Sequence, residues 1–292
     1  MSVNDVVIIG AGPAGLATAI QLKRYKIEPV LLEKAAVGGL LKNANLVENY
    51  PGFPYGISGR DLVGLFKEQL EKSRVNLYFE EVLKLDYQND LFIIKTTQRK
   101  LSSRIVVVAS GTKPKRFPIA VPKEAEKRLF YEVHRLAHLL NEKIVIIGSG
   151  DAAFDYALNL SKRNEVIILN RSKKVKCLPL IFERALKNSR IFYMENVEVK
   201  EIKYHDSGLI LTCHSTTGEQ EFYTSYLVIA IGREPFLDFL SDELKRGLKT
   251  LQKAKKLYMV GDVQNGIYRQ TAIAVGNGIK TAMEIYRELR GL

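Results

Sequence analysis

Cysteine is nearly absent from this chain. Cys177 and Cys213 are the two in 292 residues, too few for a disulfide framework and too far apart for a Cys-x-x-Cys pair. Histidine is scarce too, with four residues. His134 and His138 have an i, i+4 spacing, but Arg135-Leu136-Ala137 separates them instead of the Glu-x-x of a zinc protease. That pair reads as a partly exposed helix or loop, and no metal is expected. No apolar run approaches the roughly 18 residues of a membrane helix. The longest, such as Ile105–Ala109 and Leu227–Ile231, have strand length. A secretory leader is not expected, because Val6–Ile9 already reads as a buried strand, so the expected location is cytoplasmic.

Acid is short relative to base: 32 Asp and Glu stand against 44 Lys and Arg, for a net charge of +12. Such a charge can signal a nucleic-acid binder. The basic residues are scattered, however, and no zinc-finger, RRM or basic-helix pattern occurs, so no nucleic-acid partner is expected. Two local clusters, Lys113–Arg128 and Lys245–Lys256, read as solvated surface. Their sharper reading is attraction of an anionic cofactor or an acidic protein.

What the chain does have is ordinary globular composition, 46% hydrophobic and 26% charged, at a length that suggests two domains. It also repeats itself. Val6-Val7-Ile8-Ile9 leads into Gly10-Ala11-Gly12-Pro13-Ala14-Gly15, and Ile144-Val145-Ile146-Ile147 leads into Gly148-Ser149-Gly150-Asp151-Ala152-Ala153. Each is a β-branched run, a glycine turn and a helical pattern. Each reaches a second apolar strand, Pro29–Glu33 or Val166–Asn170, as a βαβ unit does. Strand candidates follow in both copies: Val82–Tyr87, Leu91–Thr97 and Arg104–Ala109, then Val197–Tyr204, Leu209–His214 and Tyr226–Ile231. Each series ends in a small-residue turn, at Gly111 and at Gly232.

The first copy carries an extra segment, Val37–Gly59, with the string Val47-Glu48-Asn49-Tyr50-Pro51-Gly52-Phe53-Pro54. After the second copy comes a tail, with a strand at Leu257–Val260, a Gly261-Asp262 turn and a helix over Thr271–Leu289. The tail has few apolar partners of its own, so the economical topology returns it to the first domain. The expected fold is α/β, with two Rossmann-like dinucleotide-binding domains, the second inserted into the first, each carrying a small β-meander. The expected division is 1–113 with 233–292, and 114–232, with hinges near Gly111–Pro114 and Gly232–Pro235.

In a dinucleotide loop the first glycine permits the turn, the second admits the pyrophosphate and the third lets helix and strand pack. The helix start then offers free N–H groups to the phosphates. Gly10, Gly12 and Gly15 fill these places, with Pro13 and Ala14 opening the helix. Gly148, Gly150 and Ala153 fill them in the second copy, with Asp151 and Ala152 opening the helix. Glu33 stands about 20 residues on, where a carboxylate accepts from an adenosine ribose. The same offset from Gly148 reaches Arg171, with Lys173, Lys174 and Lys176 following. A basic group there suits a ribose 2′-phosphate. The first site therefore suits FAD or NAD and the second NADPH.

These residues resemble the low-molecular-weight thioredoxin reductases, flavoproteins of the pyridine nucleotide-disulfide oxidoreductase family (class II), over nearly the whole chain. The match lies in Val7–Gly15 with Glu33, in Gly38-Gly39-Leu40-Leu41 through Val47–Pro54, in Gly148–Asp155, and in Gly261-Asp262 with Arg269-Gln270. The resemblance implies FAD in the outer domain, NADPH in the inserted one, and a homodimer. Carried over by motif, Gly10, Gly12, Gly15 and Glu33 hold the ADP half of FAD, Gly39, Leu41 and Asn49 lie near the flavin half, and Gly111 is a further cofactor contact. Asp262 takes the ribityl or phosphate region. Arg269, Gln270 and Thr271 approach the isoalloxazine at a helix start, whose dipole favours charge on reduced flavin.

Those reductases carry a Cys-x-x-Cys pair just before the second glycine loop. Here the region reads Leu129-Phe130-Tyr131-Glu132-Val133-His134-Arg135-Leu136, without a thiol. Tyr131-x-Val133 followed by Gly148–Leu158 is similar to the thioredoxin-reductase-type ferredoxin–NADP reductases, which also lack the cysteines. The C-terminal extension of that group is not expected here, and Leu40 departs from both groups, where Gln is usual. The expected activity is an FAD-dependent NAD(P)H oxidoreductase that delivers electrons to an external acceptor, an acidic carrier such as ferredoxin or flavodoxin. The alternative is a flavin-binding sensor or subunit without efficient NADPH turnover. No catalytic side chain is expected, since the cofactor carries the chemistry.

Overall fold

The computed structural model describes residues 3–206 and 208–292. The chain divides into two compact units. One gathers the chain up to Lys42 with Glu48–Lys113 and Glu234–Leu292; the other takes Asn43–Val47 with Pro114–Arg233. Residues 43–47 thus go with the second unit, although in sequence they lie inside the first. The connecting segments, Thr112–Pro114 and Arg233–Pro235, pair as a two-stranded sheet.

The first unit is built on a seven-stranded sheet. Its parallel part runs Asn76–Phe79, Val30–Glu33, Val3–Ile9 and Lys100–Val108. Strand Lys100–Val108 is long because it serves two partners on one side. Its start pairs antiparallel with Leu91–Thr96, and its end, Val106–Val108, pairs parallel with Leu257–Met259. Val82–Gln88 completes the meander. Val6 and Ile8 face one core and Val7 and Ile9 the other, as expected of a parallel strand covered on both faces. Helices Pro13–Arg24, Gly59–Lys72 and Thr271–Arg290 supply apolar groups to the first core. Helix Asp242–Lys253 and the meander supply the second.

The last helix lies close on the first. A Cβ at Gly278 would stand 2.3 Å from the carbonyl oxygen of Ala14, so only glycine permits this approach. The buried Thr18 hydroxyl donates to Ala14 O at 2.8 Å, with Gly278 O 3.2 Å away.

The second unit has five parallel strands in the order Ile191–Glu195, Glu165–Asn170, Lys143–Ile147, Tyr226–Ile229 and Leu129–Phe130. Helices Asp151–Leu160 and Pro179–Leu186 cover one face. A separate antiparallel sheet of Glu198–His205, Gly208–Ser215 and Gly218–Thr224 covers the other. Here the meander departs from the sequence reading, which ran its third strand over Tyr226–Ile231. Gly218–Thr224 closes the meander and Tyr226–Ile229 joins the main sheet, whereas in the first unit one continuous strand does both. Helices Gly59–Lys72, Pro179–Leu186 and Asp242–Lys253 also lie in stretches where the sequence reading named no helix. Among the described residues no helix is long and apolar enough to cross a membrane.

Candidate functional site

In the first unit the glycine loop joins strand Val3–Ile9 to helix Pro13–Arg24. Gly10 has φ +105°, and a Cβ there would lie 2.5 Å from Ala109 O at the end of the neighbouring strand. A Cβ at Gly15 would lie 1.9 Å from Gly10 O. These two glycines serve packing. Gly12 differs: a Cβ there would meet nothing within 4 Å. It caps the helix in an extended conformation, with Pro13 at the first helical position, where the missing N–H costs nothing. The space over Gly12 and the open first-turn amides of the helix suit a phosphate.

Glu33 ends strand Val30–Glu33, and its carboxylate is already engaged. Oε2 accepts from Ala11 N–H at 2.8 Å and Oε1 from Ala35 N–H at 3.0 Å. It braces the loop, and its remaining lone pairs leave it able to accept from a further donor. Gly39 opens a 3₁₀ turn, Gly39–Asn43, and comes close to Gly12: a Cβ on it would stand 3.3 Å from Gly12 Cα. Leu41 is buried in that turn. Asn49 Nδ2 donates to Gln270 Oε1 at 3.0 Å, which brings the extra segment to the start of the last helix. Gln270 caps that helix without a side-chain bond to its own amides, beside Arg269 and Thr271. Asp262 lies in the turn Gly261–Val263. A Cβ on Gly261 would stand 2.7 Å from Ala14 Cβ, so this turn sits over the first helix. Gly111 has open space about it, and its carbonyl accepts from Phe236 N–H at 3.1 Å.

The second unit repeats the loop. A Cβ at Gly148 would stand 2.5 Å from Ala230 O, and one at Gly150 would meet nothing within 4 Å. Arg171, Lys173, Lys174 and Lys176 are exposed beyond strand Glu165–Asn170. Lys176 N–H donates to Ser149 O at 2.7 Å, which pins the basic segment along the loop. Ala152 is exposed on the first turn. The neighbouring Asp151 is exposed, and its Oδ1 accepts from Leu178 N–H at 2.8 Å, so the carboxylate anchors the 176–178 segment.

Several polar groups of this unit carried no functional signal in the sequence. Asn43 is fully buried, and its Oδ1 accepts from His134 N–H at 3.0 Å and lies 3.0 Å from His134 Nδ1. Asn45 N–H donates to Asp155 Oδ2 at 2.9 Å. Burial pushes the Asp155 carboxyl up to about 6. Glu132 stands 3.4 Å from His134 Nδ1 and 3.9 Å from Arg233 Nη2.

Both cysteines are free. Cys213 lies fully buried in Gly208–Ser215, and burial pushes its thiol up to about 11. Cys177 is pushed up to about 12 by burial and then by nearby Asp151. Neither is a thiolate near neutral pH, the form a nucleophilic thiol needs.

Residues 4–278 match the pyridine nucleotide-disulphide oxidoreductase family. The chain is 27% identical to thioredoxin reductase of Mycolicibacterium smegmatis, covering 99% of this chain and 97% of that one. It is 30% identical to thioredoxin reductase of Neurospora crassa, over 96% and 92%. Among solved structures, thioredoxin reductase of Lactococcus lactis matches with TM-score 0.88 at 28% identity, over 99% of this chain and 100% of that one.

Proposed function

The chain belongs to the pyridine nucleotide-disulphide oxidoreductase family, whose thioredoxin reductases use FAD and NADPH, and from that premise we propose that it moves electrons from NADPH through FAD to an external acceptor without an internal dithiol. The observation that carries this reading is the state of the thiols. A dithiol relay needs one thiol to meet the flavin and a second to exchange with a partner. The chain has two cysteines, not paired in sequence, and both thiols are held protonated by burial.

In this reading Gly10, Gly12, Gly15 and Glu33 hold the ADP half of FAD, with Pro13 and Ala14 presenting the helix amides. Gly39, Leu41, Asn49, Gly111, Asp262, Arg269, Gln270 and Thr271 surround the remainder. The open space at Gly12 and the Asn49–Gln270 bond support that placement. Gly148, Gly150, Asp151, Ala152, Arg171 and Lys176 hold NADPH, supported by the open space at Gly150 and the exposed basic run beside it. When bound, FAD would supply the redox chemistry, as acceptor of hydride from NADPH and donor of single electrons to the carrier. The net charge of +12 favours an acidic one-electron carrier, such as ferredoxin or flavodoxin, and the working form is a homodimer.

The test is a steady-state assay with NADPH against ferricyanide or ferredoxin, a thioredoxin and oxygen. The reading expects fast reduction of the one-electron acceptors and none of thioredoxin. The ferredoxin rate should fall steeply with salt as screening shortens the attraction. Thioredoxin reduction that survives Cys177→Ser with Cys213→Ser would overturn it. Flavin that NADPH does not bleach would favour a sensor or subunit instead.

A further inference from the structure

The carboxyl rim of the second unit continues past its glycine loop. Its strands are all parallel, so their carboxyl ends open on one edge. In such a sheet a dinucleotide lies across that edge where the strand order reverses, with one nucleotide on each side. Strand Lys143–Ile147, which carries Gly148 and Gly150, is the reversal point. Arg171 follows the strand on one side of it. Arg233 follows Tyr226–Ile229 on the other side, and Glu132 and His134 follow the outermost strand, Leu129–Phe130. Three strand spacings separate the Arg171 strand from the Glu132 strand, roughly 14 Å, within reach of an extended dinucleotide.

On that far side the side chains form a mixed polar cluster. The carboxylate of Glu132 lies between His134 Nδ1 at 3.4 Å and Arg233 Nη2 at 3.9 Å. Both contacts are long. Ion pairs elsewhere in the chain range from 2.6 Å (Lys113–Asp238) to 4.0 Å (Lys67–Glu71). Glu132 is 30% exposed. A carboxylate offers about four lone-pair sites, so this one has acceptor capacity that its two neighbours do not fill. Tyr156, on the helix that begins at the second glycine loop, feels the charge of both Arg233 and Glu132, which sets the cluster beside that helix. Asn43 fixes the turn that carries His134.

We propose that Glu132 and Arg233 form the subsite for the nicotinamide carboxamide of NADPH, Glu132 accepting from its amide N–H and Arg233 donating to its oxygen. This rests on the reading that NADPH binds the second unit with its 2′-phosphate over Arg171. No bond forms or breaks at the subsite; it orients the ring and rejects cofactor halves that lack a carboxamide.

The experiment is calorimetric titration of the flavin-loaded protein with two probes, NADP+ and adenosine 2′,5′-bisphosphate. Glu132→Ala should weaken NADP+ at least about tenfold, the loss expected for a charge-assisted hydrogen bond, and leave the bisphosphate within about twofold. Glu132→Gln keeps an acceptor and should recover most of the NADP+ affinity. Arg171→Ala should weaken both probes alike. Should Glu132→Ala not fold, Arg233→Gln reads the same subsite and should again weaken NADP+ alone. Unchanged NADP+ affinity, or equal loss for both probes, in the Glu132 or Arg233 variant overturns the subsite while leaving the NADPH reading intact. Wild-type protein that binds neither probe overturns that reading, and the subsite with it.

Discussion

The two glycine loops are copies that have diverged at chosen places. Both press a first glycine against a strand-end carbonyl, with a Cβ distance of 2.5 Å to Ala109 O in one and to Ala230 O in the other. Both leave the middle glycine facing open space. They part at the third place. Gly15 is hemmed in by Gly10 O, whereas Ala153 carries its methyl group in the fully buried core of the second unit. They part again at the end of the next strand, Glu33 against Arg171, and at the helix position held by Ala17 in one copy and Asp155 in the other. The parts that would meet a pyrophosphate are retained, and the parts that would read the ribose, or that pack locally, are free to differ.

The comparison breaks most sharply at Gly15. Gly15→Ala places a methyl 1.9 Å from a backbone oxygen, so helix and loop must shift. The expected cost is about 3 kcal/mol or more, the upper end for overpacking, read as a lowered thermal midpoint and loss of flavin together. Gly12→Val should behave differently. Its Cβ meets nothing within 4 Å and its backbone is extended, so the protein should fold while the side chain occupies the space over the helix start. Folded, colourless protein is the expected product, checked by circular dichroism and by flavin absorbance after purification. A fully yellow Gly12→Val would remove the pyrophosphate from that loop.

Much of this was legible in the residues, for physical reasons. Continuous β-branched runs before glycine turns mark buried parallel strands, and the return of the tail to the first unit follows from its lack of apolar partners. The path of 43–47 was not legible. Asn43 and Asn45 look like loop residues, and only the fold reveals that their partners, His134 and Asp155, lie about a hundred residues on. The split of the second meander at Ser225 was hidden because Tyr226–Ile229 continues the β pattern without a glycine or proline break. The engagement of Asp151 with Leu178 was hidden for the same kind of reason. A side chain at a helix start can serve a ligand or a neighbouring loop, and spacing alone does not choose.

Asp155 sharpens the comparison at the level of charge. Its first-copy counterpart, Ala17, has nothing to titrate. Burial raises the Asp155 carboxyl from 3.8 to about 6. Between those values the folded chain holds a proton that the unfolded chain has released, so this group's contribution to stability is complete below about pH 4. It is lost as pH rises through 6. About two pK units correspond to about 3 kcal/mol. Urea unfolding followed at about pH 4 and about pH 8 should show most of the loss, after allowance for other groups. Asp155→Asn keeps an acceptor for the Asn45 amide and drops the charge, so it should flatten that slope and unfold later than wild type at pH 8. A variant that stays as pH-dependent as wild type would place the titration elsewhere.

The smallest effect tests the third place from the other side. If the first loop needs glycine because of Gly10 O and the second does not, the reverse change in the second loop should be mild. Ala153 sits early in helix Asp151–Leu160, fully buried, with its Cβ 3.2 Å from where a Gly148 Cβ would lie. Ala153→Gly relieves no clash, because none exists. It removes one buried methyl and raises the entropy cost of a helical residue, each worth about 1 kcal/mol or less. The expected loss is therefore about 1–2 kcal/mol, with NADP+ affinity close to wild type, since the space at Gly150 is untouched. Thermal unfolding and the calorimetric titration read both quantities on the same protein. A drop as large as that of Gly15→Ala would mean that the alanine methyl positions the second loop, and the two loops would then differ in how they are built as well as in what they read.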